Sequence, residues 1–383
     1  MLKGPFGSDI KKSLFVPKSN DTYKVYIQGN AIHKNSKLGE YYISKEYYDN
    51  KMSRFAVDSG DYLITCDGTM GKWIRLDEHI EPGIISASLL KITLNEDVLE
   101  PKYFECLWDF ELLPSLLSKV RNGCLQHLPA ASVIEKCKIK LPDRERQVKF
   151  ANFVKQIDES RVKFHQLIES YDTLIKSRFV EMFGHIGQNE NNIPTESLAD
   201  VCNLITDGSH YSPTDEPDGP YPMLSVKDLS HHGFDYTGCK HVGQKAYDKL
   251  VKDGCKPIKN DVLIAKDGSV FQKSIIITEE TDQVILSSIA IIRPNTEIMN
   301  PVFLEHYLMS DYVKADVILN YTTGTAIRRI ILKNLAKLKL IVPPKDQQDL
   351  FASFVKQVDK SKFEVINRLQ KLKESISPTA PSE

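Results

Sequence analysis

The chain has 383 residues, 41% of them hydrophobic and 26% charged, and its 50 Lys and Arg against 51 Asp and Glu leave a formal net charge of -1. That length exceeds one small core and fits two domains of ordinary size, while near-neutrality excludes a surface coated in positive charge, so any nucleic-acid contact must come from local patches. No run of about 18 apolar residues occurs, and the opening MLKGPFGSDIKK lacks a signal-peptide core, so a cytoplasmic protein with no membrane partner is expected.

Short runs of β-branched and aromatic residues bounded by Gly, Asp and Asn read as strands: Tyr23 to Ile27, Tyr62 to Thr65 and Ile84 to Thr93. A helical pattern follows over Pro101 to Val120. After Pro142 the apolar residues Phe150, Phe153/Val154, Ile157, Phe164, Leu167/Ile168, Tyr171, Leu174/Ile175 and Phe179 recur at spacings of three and four, a coiled-coil seam. This helix spans about 40 residues, roughly 60 Å at the helical rise. Ser197 to Ile205 then reads as a lead-in strand. Further strands are expected at Val262 to Ala265, Ser274 to Thr278 and Val284 to Ile292, with a helical stretch over Pro301 to Leu319. Past Pro343-Pro344 a second seam runs through Phe351, Phe354/Val355, Val358, Val365/Ile366, Leu369, Leu372 and Ile376. The outward positions of both helices carry charges of both signs, as solvated faces do.

Cys66, Cys106, Cys124, Cys137, Cys202, Cys239 and Cys255 are odd in number, scattered and never arranged as C-x-x-C. Neither a disulfide framework nor a zinc site is indicated, and ordinary thiols are expected.

An internal repeat organises the chain. LPDRERQVKFANFVKQIDES (Leu141 to Ser160) aligns without gaps on VPPKDQQDLFASFVKQVDKS (Val342 to Ser361), with 10 of 20 positions identical. At about the same offset Gly123 falls on Gly324 and Gly7-Ser8 on Gly208-Ser209. GDYLITCDGT (Gly60 to Thr69) lies on NDVLIAKDGS (Asn260 to Ser269), and Pro101 and Glu105 match Pro301 and Glu305. The expected fold is α+β: two mixed α/β domains plus two long antiparallel coiled-coil helices, in a tandem pseudo-twofold repeat.

This order, globular domain then helix, twice, resembles the specificity subunits of type I restriction-modification enzymes. The resemblance covers nearly the whole chain. Its carriers are GPFGSDIKKS, ITDGSHYSPTDEPDGPYPMLSVKDL (Ile205 to Leu229), the two hairpin segments, and the segments TTGTAIRRIILKNLAKLKLIVPPKDQQ and NGCLQHLPAASVIEKCKIKLPDRERQ that lead into each helix. The family usually has a lead-in strand at its N-terminus; here the first copy begins almost at its Gly-Ser motif. The implied organisation is a first target-recognition domain over 1–142, a spacer helix over 143–185, a second recognition domain over 186–342, a second helix over 343–376 and a disordered tail over 377–383.

The resemblance implies a non-catalytic reader of double-stranded DNA. Base readout needs loops that bring hydrogen-bonding side chains into a groove, with Lys and Arg on phosphates around them. Four loop sets per copy fit: Ser8, Lys11 and Lys12; Gln28 and Asn30; Thr69 and Lys72; Gln126 and His127; then Ser209, His210 and Tyr211; Lys227; Lys266 and Ser269; Thr325, Arg328 and Arg329. In this alignment Gln126-His127 faces Ile327-Arg328. Gly7-Ser8 and Gly208-Ser209 also read as plain turns, and Asp67-Gly68 and Asp267-Gly268 as hairpin turns. The basic stretch of Arg328, Arg329, Lys333, Lys337 and Lys339, mirrored by Lys136, Lys138 and Lys140, reads as a phosphate track. His231-His232 and His210 have no companion ligands at metal-site spacing, and an exposed loop is the better account.

Catalytic motifs are absent from the sequence. GTMGK (Gly68 to Lys72) has the wrong spacing for an ATP-binding loop, no glycine-rich loop suits S-adenosylmethionine, and Asp143 reads as a helix cap. No cofactor is expected in this chain. S-adenosylmethionine, ATP and Mg would sit on partners, which the resemblance implies are methyltransferase subunits, two of them, and a restriction/translocase subunit. The specificity partner of a type IIB-like fused methyltransferase-nuclease, and a coiled-coil scaffold without DNA binding, are the competing readings.

Overall fold

A computed structural model describes residues 1–118, 127–230, 233–324 and 328–376, the side chains to Leu372. Gln126, Thr325 and His231-His232 of the sequence reading, and the tail from 377, lie outside the described residues. The chain divides into two compact units, Met1–Val162 together with residues from Lys371, and Lys163–Gln370.

In the first unit the strands are β1 (Leu2–Lys3), β2 (Thr22–Tyr26), β3 (Tyr42–Ser44), β4 (Tyr62–Thr65), β5 (Trp73–Arg75), β6 (Gly83–Ile85) and β7 (Leu89–Ile92). One antiparallel sheet has the order β1-β7-β4-β5, and a second, β3-β2-β6, pairs β2 with β6 in parallel. All four residues of β4 are buried, because its two faces meet different cores. Tyr62 and Ile64 pack with Phe104 and Trp108 of the following helical stretch, and Leu63 packs with Val25, Ile84 and Ile85. A strand covered on both faces reads as a continuous apolar run without alternation.

The segment Ile84 to Thr93, expected as one strand, is two. The chain turns at Ser86, whose N–H donates to the Tyr26 carbonyl (2.9 Å) and whose carbonyl accepts from Leu89 (3.1 Å), and so crosses from one sheet to the other. The second unit repeats this with Val284–Ile285 and Ile289–Pro294.

The second unit contains β8 (Thr195–Ser197), β9 (Cys202–Asp207), β10 (Tyr221–Leu224), β11 (Leu229–Ser230), β12 (Gly233–Phe234), β13 (Lys240–Val242), β14 (Val262–Ala265), β15 (Ser274–Ile276), β16 (Val284–Ile285) and β17 (Ile289–Pro294). Its sheets β15-β14-β17-β9 and β13-β10-β16 reproduce the first unit's topology. β8 pairs with Lys339–Ile341. The register corrects the sequence alignment at the start of each copy. Lys3 pairs with Leu90 as Asp207 pairs with Ala290, and Gly4 and Gly208 donate to the carbonyls of Leu89 and Ile289. Gly4, rather than Gly7, therefore occupies the place of Gly208, and β1 is the lead-in strand of the first copy, cut to two residues.

The long helices are α1 (Arg144–Phe183, 40 residues) and α2 (Lys345–Ile376, 32 residues). Within the second unit they pack antiparallel. Phe179 and Phe183 meet Phe351 at 5.3 and 5.8 Å between ring centroids, and further along Lys362 Nζ reaches Asp172 at 2.5 Å. Only part of the expected seam is buried: Val154, Ile157, Ile175, Phe179, Phe351, Val355, Val358, Val365 and Leu369 are, whereas Phe150, Phe153, Leu167 and Leu174 are exposed. Each apolar doublet thus turns one member inward.

One buried side chain per copy fastens helix to domain. Gln147, 1% exposed, accepts from the Glu100 N–H (2.9 Å) and donates to the carbonyls of Val98 (3.1 Å) and Pro142 (2.9 Å). Gln348, fully buried, accepts from the Asn300 N–H (2.9 Å) and donates to Ile298 (3.0 Å) and Pro343 (2.8 Å). Leaving these three buried backbone groups unpaired costs about 1–3 kcal/mol each. Gln348→Ala is predicted to lower the unfolding free energy by about 3 kcal/mol or more in denaturant titrations, and Gln147→Ala by a similar amount; a change below about 1 kcal/mol would contradict the anchoring role.

Candidate nucleic-acid interface

In the first unit Ser8 sits in the single turn Gly7–Asp9, and Lys11 and Lys12 at the start of the next turn; all three are exposed. The Tyr47 hydroxyl donates to the Asp9 carbonyl (2.9 Å) and fastens this loop. Thr69 and Lys72 are exposed on the connection from β4 to β5. The Thr65 hydroxyl donates to the Thr69 carbonyl and accepts from the Lys72 N–H (3.0 Å), which closes the turn. The same turn holds His127: its Nδ1 lies 2.6 Å from Asp67 Oδ1, and Leu128 N–H donates to the Cys66 carbonyl (2.8 Å). Thr69, Lys72 and His127 thus converge at one end of the hairpin.

Gln28 is half-buried at the start of the helix Gln28–Ile32, which packs against β4 and β5. Asn30 does not fit the expectation placed on it. Its side chain is fully buried, accepts from Ile27 N–H (2.7 Å) and donates to the carbonyls of Asn35 (2.9 Å) and Leu38 (2.8 Å). With its amide spent on its own loop, Asn30 shapes the turn and has no group left for a base. That loop carries a contact the sequence reading missed: Lys34 Nζ stands 3.9 Å over the Trp73 ring, whose Nε1 donates to Asp109 (2.9 Å). Lys34 lies in a polar turn with a positive φ of 49°, and no periodic pattern singles it out.

In the second unit the equivalent turn gathers more charge. Lys266, 7% exposed, holds its ammonium 3.1 Å from Asp207 and 3.5 Å from Asp267. Asp207 also meets His210 Nε2 at 3.3 Å. Gly268 N–H donates to the Arg328 carbonyl (2.9 Å) and Ile330 N–H to the Lys266 carbonyl (3.0 Å), so Ser269, Arg328 and Arg329 lie on the same turn. Asp267 Oδ1 is buried without a hydrogen-bond partner among the described residues. Lys266, expected to face a ligand, is instead an interior cation neutralised by two carboxylates, and the exposed cations there are Arg328 and Arg329. Asp267 bridges to Arg329 as Asp67 bridges to His127, so Arg329, not Arg328, takes the place of His127.

Ser209 caps its own loop, its hydroxyl donating to the Tyr211 carbonyl (2.6 Å) and accepting from the Tyr211 N–H (3.1 Å). Tyr211 projects outward with Lys249 Nζ 5.5 Å from its ring centroid. Lys227 is exposed on the turn Val226–Asp228, tied to the cluster through Ser288, whose hydroxyl accepts from Val226 N–H (3.1 Å) and whose carbonyl accepts from Lys266 N–H (2.9 Å). Lys333, Lys337 and Lys339, and in the first copy Lys136, Lys138 and Lys140, all keep their side chains at least partly open to solvent.

Such loops can grip phosphates with cations and offer base edges both donors and acceptors. Burial pushes the thiols of Cys66 and Cys106 up to about 11 and that of Cys202 to about 12, so all three are protonated at neutral pH. Among the described residues no group of three metal-ligating side chains is poised to hold an ion, and no helix is long and apolar enough to cross a membrane.

The family model for the type I restriction modification DNA specificity domain matches this chain twice, over residues 7–170 and 192–374. Two solved structures share its fold. A chain of a type I R-M system, studied for complex assembly and conformational transition, is 18% identical with a TM-score of 0.56, over 84% of this chain and 80% of that one. The S subunit of a type I restriction-modification system from M. genitalium is 12% identical with a TM-score of 0.52, over 100% of this chain and 93% of that one. No curated protein sequence matches this chain.

Removing one partner of a buried ion pair strands the other charge at a cost of about 3–5 kcal/mol, whereas trimming an exposed side chain costs about 0.5 kcal/mol or less. Lys266→Ala is predicted to lower the melting temperature of the protein by several degrees while Arg329→Ala leaves it unchanged. Equal melting temperatures for the two variants would contradict the interior role of Lys266.

Proposed function

This chain belongs to the family of type I restriction modification DNA specificity domains, and we propose that it reads a double-stranded target in two separated parts, one with each globular domain. The observation that carries this reading is the duplication itself: the family match spans both copies, and each copy sets its own group of polar and cationic side chains around one hairpin turn. In the first copy the turn presents Thr69, Lys72 and His127; in the second, Ser269, Arg328 and Arg329. Different side chains at equivalent positions read different bases.

The long helices connect the two readers and receive the partners. α1 leaves Phe150, Phe153, Val162, Leu167 and Leu174 exposed, an amount of outward apolar surface that a solvated helix face does not need. Methyltransferase subunits, two of them, would cover it, and a restriction/translocase subunit would join that assembly. S-adenosylmethionine, ATP and Mg would be held by those partners, with this chain supplying recognition and no catalysis.

The mapped binding site should consist of two short protected segments flanking an unspecified gap; one uninterrupted segment would refute the two-reader arrangement. Arg328→Ala with Arg329→Ala should weaken binding across all sequences and lower the slope of log affinity against log salt by about one for each phosphate no longer neutralised. Phe153→Glu with Leu174→Glu should abolish co-purification of the methyltransferase subunits without changing the melting temperature, and retained co-purification would place their docking surface elsewhere.

A further inference from the structure

The loops that leave β1 and β9 carry a feature the fold does not use. Gly4 and Gly208 are pinned where the chain crosses between sheets: a Cβ on Gly4 would stand 1.9 Å from the Ser86 carbonyl oxygen, and one on Gly208 would stand 2.1 Å from that of Ile285. No larger residue fits either position, so both loops set off in a fixed direction. Two residues beyond Gly4, Phe6 is 79% exposed; three residues beyond Gly208, Tyr211 is 63% exposed. A single exposed aromatic is unremarkable on a protein surface. The same placement on the equivalent loop of both copies, after so rigid a launch point, calls for a partner.

The surroundings say which partner. Along the chain, Lys3, Lys11 and Lys12 flank Phe6 within six residues, and all three are exposed. Tyr211 has Lys249 beside its ring, and the neighbouring Ser212 hydroxyl accepts from Lys240 Nζ (2.8 Å). Lysine is depleted in the centres of protein–protein interfaces, whereas an aromatic ring rimmed by cations matches a base stack flanked by phosphates. We infer that Phe6 and Tyr211 are matched aromatic wedges, each pressed against or between the base pairs of one step in its own half of a duplex DNA target, with the nearby lysines on the adjoining phosphates. Each half-site is then selected in part by how readily that step unstacks, since pyrimidine–purine steps yield more easily than others. This rests on the DNA-reading role proposed above and adds to it a contact that selects sequence without base-edge hydrogen bonds.

The test uses the full chain co-expressed with its methyltransferase subunits, and target duplexes carrying 2-aminopurine at successive positions. Binding of the native assembly should raise the fluorescence at one step in each half. Phe6→Ala should abolish the signal in one half only and weaken binding about 10-fold. Tyr211→Ala should do the same in the other half, and Tyr211→Phe should keep both signals. Native assembly that binds without any fluorescence rise, or alanine variants that bind with native affinity, would overturn the wedges while leaving the DNA-reading role intact. Failure of the alanine variants to co-purify the methyltransferase, with unchanged DNA affinity, would overturn them too, by assigning the rings to a protein interface. A lowered melting temperature in the alanine variants would do so by assigning the rings to the fold. Native assembly that binds no duplex at all would refute the DNA-reading role and this inference together.

Discussion

Each long helix leaves its own domain at an angle that one buried carboxamide fixes. Gln147 and Gln348 each bind three backbone groups that belong to different segments: the N-cap of the preceding proline-led helix, the turn before it, and the proline that delivers the chain into the long helix. Only an amide supplies one acceptor and two donors at that reach. A glutamate would lose both donors, and a methionine would leave all three groups unpaired. Over a helix of roughly 60 Å, a tilt of about 10° at the base displaces the far end by roughly 10 Å, several base pairs of duplex. The geometry of the first turn therefore governs where the rest of each helix lies relative to its own domain.

The buried frame and the exposed turns obey opposite rules. Asp61 and Asp261 are both fully interior and both accept from the N–H three residues before them, at 2.9 and 2.8 Å. Their cationic partners differ: Lys91 in one copy, the bidentate Arg293 in the other. At the hairpin turns even the sign of the charge changes. Lys3 of the first copy stands where the second has Asp207, and Cys66 stands where the second has Lys266. In the second copy the two exchanges compensate one another, since Asp207 neutralises Lys266. Duplication supplied two copies of one frame, and local recompensation let the two turns drift apart without unfolding either.

What the sequence made legible was whatever repeats or has a period. The tandem copies, the extents of α1 and α2 and the cores of β4 and β14 all followed from apolar spacing and self-comparison. The crossing at Ser86 was hidden, because a strand that changes sheets keeps the same apolar run as one that does not. A fixed offset between copies failed for a similar reason: insertions fall in the loops, where identity is lowest, so Gly7 was matched to Gly208 where Gly4 belongs, and His127 to Arg328 where Arg329 belongs. Residue type alone misassigned Asn30 and Lys266, since a polar side chain in a loop segment looks the same whether it faces water or its own backbone. Phe6 was not singled out, because a single aromatic in a loop has no period to mark it; aligning the glycines by register is what places it on the loop equivalent to that of Tyr211.

The modest charge of the chain bears on how it can bind at all. Some of its cations are paired within the protein: Lys24 and Lys18 on Glu81, Arg293 on Asp261, Lys266 on Asp207, Lys362 on Asp172. A handful of phosphate contacts at each reading face supports weak, salt-sensitive association. Two such readers on separate chains would each stay weak. Carried on one chain, the second engages at an effective concentration set by its connection to the first, and the two affinities combine without added contacts. The same coupling penalises any DNA in which only one half matches.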